Sequence, residues 1–494
     1  MTVTDHRLDA GQRALLRHVP TDLLIGGEWR AATGNRRAAV YDPATGAELA
    51  LVADATVEDG LTALDAACAA QGDWARRAPR ARAEILRRAF ELVIERVEDL
   101  ALLITSEMGK PLAEARVEVT YAADYLRWYA EEAVRLDGRV STSPDGRSRV
   151  IVTHEPVGPC LLITPWNFPL AMAVRKIAPA LAAGCTMIVK PALLTPLTMF
   201  LMARILSDAG VPDGVVNIVT TADPGSFSAA LMADPRLRKV SFTGSTGVGQ
   251  RLLEQSAAHV LRTSMELGGN APLLVFEDAD LDRAVEGALV AKLRNGGESC
   301  VAANRILVHE AVADAFTERF AARMAEVVVG RGTEPGVTVG PLISEQAVKG
   351  VAALVDDAVA RGARVLVGGE VPEGTGSFYP PTVLDGVPRD ARILHEEIFG
   401  PVAPIVRFAD EADAIAQAND TPFGLAAYVF TENLDRATRV SGALEVGMVG
   451  LNQGLIANAA APFGGIKYSG LGREGGSEGL GEYTNLKYVA QVIA

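Results

Sequence analysis

The stretch CLLITPWNFPLAMAVRKIAPALAAGCTMIVK, residues 160–190, decides the fold. It opens on a short apolar run, passes through a stiff loop holding two prolines, continues with apolar residues to Ala183, and closes on a second apolar run. A strand, a helix and a strand in that order form the unit of a parallel sheet. Toward the C-terminus the rhythm repeats: a helix through MFLMARILSDAG, the run VVNIV, a short helix, KVSFTG, a helix to about His259, and LRTSMEL. This alternation predicts a doubly wound, Rossmann-like α/β sheet. A second series begins at PLLVF (272–276) and runs through RILVH, ARVLVGG, PTVL, APIVRF, LAAYVFT and VGMVGLN, with helices between. A second α/β unit therefore follows the first, joined near Gly268 and Gly269. Upstream, residues 56–135 carry apolar positions at three- and four-residue spacing and read as packed helices. Between 137 and 155, β-branched and polar residues alternate around a Pro-Asp-Gly turn, which reads as a hairpin.

Composition narrows the function. A chain of 494 residues exceeds one hydrophobic core, and 49% apolar with 22% charged residues suits a compact soluble protein. The net charge of −14 repels polyanions, so no nucleic-acid partner is expected. The most apolar region, Phe168 to Val189, is interrupted by Arg175 and Lys176, which argues against a membrane span. The polar N-terminus lacks the pattern of a signal peptide, so a cytoplasmic location is expected. Four cysteines without CxxC spacing, and six histidines without HExxH, support neither a disulfide framework nor a metal site.

Four motifs carry chemistry. RNGGESC (294–300) places a cysteine after two glycines, and poses the question of whether Cys300 is a buried thiol or a nucleophile. FTGSTGVG (242–249) ends a strand in a turn, Gly244-Ser245, that opens a helix and can receive a phosphate, although a plain tight turn fits equally well. In ITPWNFP (163–169), Asn167 stands at the carboxyl edge of the sheet, where it can donate to an oxyanion or simply cap a turn. In MELGGN (265–270), Glu266 can serve as a general base or be a solvated loop acid. The literal GxGxxG of GLGREG (470–475) has neither a strand before it nor a helix after it, and reads as a glycine-rich loop.

These motifs, with IVKPA, EEIFGP (396–401) and APFGG (461–465), occur in an order and spacing that resemble the aldehyde dehydrogenase superfamily, most closely its succinate-semialdehyde dehydrogenases. The resemblance implies Cys300 as nucleophile, Glu266 as the base that deprotonates the thiol or the hydrolytic water, and Asn167 as oxyanion donor beside the Cys300 N–H. It implies a nicotinamide coenzyme held by Thr164, Pro165, Trp166, Lys190, Gly244 and Ser245, with Glu397 and Phe399 at the nicotinamide ribose and ring. Arg175 and Arg294 match the two arginines that hold a distal carboxylate, and Phe463 lies beside them. The expected reaction is oxidation of an aldehyde to an acid through a cysteine thiohemiacetal and thioester. Succinate semialdehyde is the first candidate, and glutarate semialdehyde or an aliphatic aldehyde the next. A coenzyme-free cysteine esterase or a silent binding protein are the readings from other classes.

The same resemblance implies an organisation and exposes four departures. Residues 1–136 and 156–265 would form the coenzyme-binding domain, 137–155 an oligomerisation hairpin, 266–455 the catalytic domain, and 456–494 a C-terminal segment with an oligomerisation strand, giving a homodimer or homotetramer. Glu298 replaces the usual Gln two residues before the nucleophile, where a carboxylate disfavours thiolate unless it turns away. Ala302 stands where close relatives often carry a second cysteine. Leu193 replaces the acid that accepts from the adenine ribose in NAD-preferring relatives, which puts NADP slightly ahead of NAD. The serine that assists the two arginines is replaced by Ala457.

Overall fold

The computed structural model describes residues 8–493. Cys160–Ile163, Met187–Lys190, Val216–Ile218, Lys239–Thr243 and Arg262–Glu266 form parallel strands of one sheet. Strand 160–163 is central, with 187–190 and then 216–218 on one side, and 239–243 and then 262–266 on the other. Winding reverses between 160–163 and 239–243, so a crevice opens at the carboxyl ends of those two strands. Both faces are covered, as a parallel sheet requires. Cys160 and Leu162 pack into the core shared with helices Pro79–Glu95 and Leu112–Glu132, and Leu161 and Ile163 into the core shared with helix Val57–Arg76.

Short strands from elsewhere complete both edges. Leu23–Ile25 pairs antiparallel with 216–218, and Glu28–Arg30 pairs with Leu23–Ile25. At the other edge Gly470–Leu471 pairs antiparallel with Arg262–Glu266, with Gly470 opposite Glu266.

The second sheet runs 364–367, 382–385, 402–408, 303–309, 271–275, 426–430, 448–451 and is parallel except for its first strand. Alternate residues again serve two cores: Leu274 and Leu307 on one face, Leu273, Val275 and Ile306 on the other. Arg139–Thr142 and Ser148–Pro156 form the hairpin, to which Thr484–Val492 adds a third antiparallel strand. That sheet leaves large apolar side chains outside, with Leu486 68% and Tyr488 61% exposed. Among the described residues no helix is long and apolar enough to cross a membrane, and no cluster of ligating side chains could hold a metal ion.

Candidate active site

The crevice holds a cavity of about 240 Å³. Pro165, Trp166 and Asn167 enter from the loop after strand 160–163, Gly244 and Ser245 from the turn after 239–243, Glu266 from the end of the next strand, and Cys300, Glu397 and Phe399 from the second unit. Residues more than two hundred apart in sequence thus share one wall.

The Cys300 loop follows helix Leu281–Leu293 and reverses through left-handed backbone at Asn295, Gly296 and Gly297, with φ of 58°, 61° and 79°. Asparagine and glycine are the residues that adopt this region at least cost. Gly269 fixes the approach from the other side, because a Cβ there would stand 2.2 Å from the Cys300 carbonyl oxygen. Behind the loop, Asn295 Nδ2 donates to the carbonyls of Glu298 and Asn167 at 2.9 and 3.0 Å, and Lys110 Nζ donates to the same Asn167 carbonyl at 2.8 Å. Asn167 is therefore held through its backbone. Its Oδ1 accepts from Phe168 N at 3.1 Å and its Nδ2 donates to the Glu298 carbonyl at 3.0 Å. An amide nitrogen has two hydrogens, so one remains for a ligand.

Burial sets the charges. It pushes the Cys300 thiol up to about 12, against the pull of Arg175. Burial, then the charge of Glu474, raises Glu266 well above the usual carboxylate range, and Glu266 Oε2 has no hydrogen-bond partner. Burial also lifts Glu397 to about 7, although its Oε1 accepts from Gly269 N at 3.2 Å. Burial thus favours the neutral form of both catalytic candidates, and each acts through its ionised form. Glu298 resolves one departure, because its side chain turns away from the sulfur and its Oε1 accepts from Ile343 N at 3.0 Å. Burial holds it well above the usual carboxylate range, which favours the uncharged acid.

The crevice suits a dinucleotide. Helix Thr246–Ser256 begins at Ser245 without a side-chain cap, its first backbone bonds running from Val248 N and Gly249 N to the Ser245 carbonyl, and a Cβ on Gly247 would meet nothing within 4 Å. Such a helix start receives phosphate. Trp166 and Phe399 meet edge to face at 5.4 Å, and Phe399 has a φ of 50°. Lys190 lies at the end of its strand, 6% exposed, with only the Pro191 carbonyl at 3.4 Å as partner, and burial lowers it to about 8. Thr164 lies behind the wall, donating its N–H to the Lys190 carbonyl at 3.1 Å while its hydroxyl has no partner.

The three residues expected at the substrate do not line this cavity. Arg175 is buried, its Nε donating to Glu474 and its guanidinium 4.1 Å from the Phe463 ring centre, while Nη1 and Nη2 have no partner. Arg294 lies on a separate cavity of about 510 Å³, with its guanidinium 5.0 Å from the ring centre of Phe168 and 5.9 Å from that of Tyr121. Sequence reasoning missed Glu474, which also accepts from Lys176 Nζ, and the buried pair of Lys110 with Glu118. Glu474 belongs to the glycine-rich loop GLGREG, and the signal for it was the adjacent pair Arg175-Lys176 inside an apolar helix, since two buried cations need an acid.

The aldehyde dehydrogenase family profile matches residues 29–489. The chain belongs to the aldehyde dehydrogenase family. Within it, the chain is 61% identical over 441 residues to a succinate-semialdehyde dehydrogenase of Paenarthrobacter nicotinovorans, covering 89% of this chain and 98% of the relative. It is 49% identical over 466 residues to the NADP(+) succinate-semialdehyde dehydrogenase of Escherichia coli strain K12, covering 94% and 96%. The crystal structure of succinate-semialdehyde dehydrogenase from Burkholderia pseudomallei superposes with a TM-score of 0.95 at 48% identity, covering 98% of this chain and 99% of that one. As in any aldehyde dehydrogenase, the chemistry to be explained is oxidation of an aldehyde.

Proposed function

We propose that this aldehyde dehydrogenase oxidises a small carboxylated aldehyde, succinate semialdehyde first, with NADP or NAD as coenzyme. The observation that carries the substrate class is Arg175, a buried guanidinium whose Nη1 and Nη2 have no acceptor. Leaving charged donors buried and unpaired is costly, and a carboxylate matches the planar fork. The activity named for both relatives supports the same substrate. Ala457 leaves chain length open to glutarate semialdehyde.

The mechanism assigns work to four groups. With Glu266 in its carboxylate form, Cys300 passes its proton to Glu266, and the sulfur bonds to the aldehyde carbon. Asn167 Nδ2 and the Cys300 N–H hold the oxygen that becomes negative. The coenzyme, when bound against Glu397 and Phe399, supplies the hydride acceptor. Once Glu266 has passed the thiol proton to solvent, it deprotonates the water that cleaves the thioester and frees Cys300. Because Glu266 is raised by burial and by Glu474, its basic form grows as pH rises.

Domains follow the division at residues 136, 155, 265 and 455, with the outward apolar side chains of the three-stranded sheet joining copies into a homodimer or homotetramer. Four free cysteines support a reducing compartment, the cytoplasm. The test of substrate class is Arg294→Ala. Loss of charge-assisted hydrogen bonds worth roughly 1.5–3 kcal/mol lowers kcat/KM for succinate semialdehyde about 10- to 150-fold. Butanal is expected to lose far less, and equal losses for the two aldehydes would show that Arg294 only supports the Cys300 loop and leave the carboxylated substrate resting on Arg175 alone.

A further inference from the structure

A third free donor stands with the two arginines. Tyr121 and Tyr125 lie one turn apart on helix Leu112–Glu132, with rings edge to face at 5.0 Å and hydroxyls 2.5 Å apart. Tyr125 is fully buried, and among the described residues its hydroxyl has no other partner. Its proton therefore goes to the Tyr121 oxygen, because pointing it anywhere else would bury an unsatisfied donor. That leaves the proton of Tyr121 without an acceptor among the described residues. Tyr121 is half-buried, and one face of its ring meets Arg294, whose side chain makes no hydrogen bond or ion pair among the described residues. On the other side both tyrosines lie within electrostatic reach of Arg175.

We propose that the Tyr121 hydroxyl binds the distal carboxylate of the substrate together with Arg175 and Arg294, at the end of the substrate where Ala457 offers no donor. The proposal rests on the carboxylated-aldehyde reading above. A hydroxyl that already accepts from Tyr125 is polarised and donates more strongly. It also adds a donor without adding charge, which matters beside Arg175 and Lys176, where the single carboxylate of Glu474 faces two cations. The other role for the pair is packing between helix 112–132 and the loop around Gly475, which a ring without a hydroxyl would fill equally well.

Tyr121→Phe separates these roles, since it keeps the ring under Arg294 and removes the hydroxyl, and the loss of the acceptor of Tyr125 affects both aldehydes alike. A hydrogen bond to a charged group implies a KM for succinate semialdehyde higher by about tenfold or more, with kcat and the kinetics of butanal unchanged within about twofold. Unchanged KM, or an equal loss with butanal, overturns the proposal. Arg294→Ala measured alongside tells the two failures apart. If Arg294→Ala is selective for the carboxylated aldehyde and Tyr121→Phe is not, only the assignment of Tyr121 falls. If neither is selective, Arg294 and Tyr121 both leave the substrate site and the carboxylated-aldehyde reading rests on Arg175 alone.

Discussion

Replacing Glu298 by Gln is expected to stabilise the protein by an amount that grows with pH while leaving turnover intact. The carboxyl is 1% exposed, with Oε1 on the Ile343 N–H at 3.0 Å and Oε2 without a partner. Burial raises it well above the usual range, so the folded chain keeps this proton at pH values where the unfolded chain has lost it. A carboxyl raised in this way gives its full contribution to stability below the unfolded value of about 4.3, and that contribution is lost as pH rises toward the folded value. Inside this window the wild type loses about 1.4 kcal/mol per pH unit relative to a side chain that does not titrate. Gln keeps an oxygen for Ile343 and carries no proton to lose. The gap between Glu298→Gln and wild type therefore widens by about 1.4 kcal/mol for each pH unit. Other titrating groups cancel in the difference. Urea unfolding of both proteins at pH 5, 6 and 7, at one protein concentration, measures the gap. A gap that stays constant across these values would show that Glu298 is ionised in the folded state. A large fall in kcat would show that its side chain does reach Cys300.

Two further perturbations address the thiol and the coenzyme. With burial holding Cys300 near 12, alkylation by iodoacetamide in the absence of coenzyme is expected to accelerate about tenfold per pH unit between pH 7 and 9, as the thiolate fraction does. A plateau below pH 8 contradicts a buried neutral thiol. Leu193→Glu is expected to shift the ratio of NADP to NAD efficiency toward NAD, since a carboxylate near Lys190 repels a 2′-phosphate and accepts from a 2′-hydroxyl. An unaltered ratio removes residue 193 from coenzyme choice.

The long parallel strands were legible because each is a run of apolar residues that must be buried on both faces. CLLIT, TMIVK and KVSFTG carry that signal within five or six residues. Strands Leu23–Ile25, Glu28–Arg30 and Gly470–Leu471 were not legible, since two or three residues cannot show a period, and the places of Leu23–Ile25 and Gly470–Leu471 in the sheet are set by partners more than 190 residues away. Cys300, Glu266 and Asn167 were readable as chemistry because each stands beside a glycine, a proline or a strand end. Their supports were not, because Lys110, Glu118 and Glu474 look like ordinary charges until the fold buries them. Arg294 illustrates the same limit. Its spacing from Cys300 is visible in the sequence, but its position on a second cavity follows from the left-handed turn at Asn295–Gly297.

Gly470–Leu471 also fixes the order in which the molecule can be made. A ribosome releases the other strands of the first sheet long before this one, so during synthesis strand Arg262–Glu266 is an open edge of the kind that invites pairing with another chain. In that interval Glu474 is missing as well, and Arg175 and Lys176 have no carboxylate between them. The nascent chain must therefore wait with an unfinished edge and two uncompensated cations at what will become its chemical centre. Its folding yield in a cell then depends on how quickly residues 466–492 follow, and a chaperone that shields strand 262–266 acts at the point of greatest exposure.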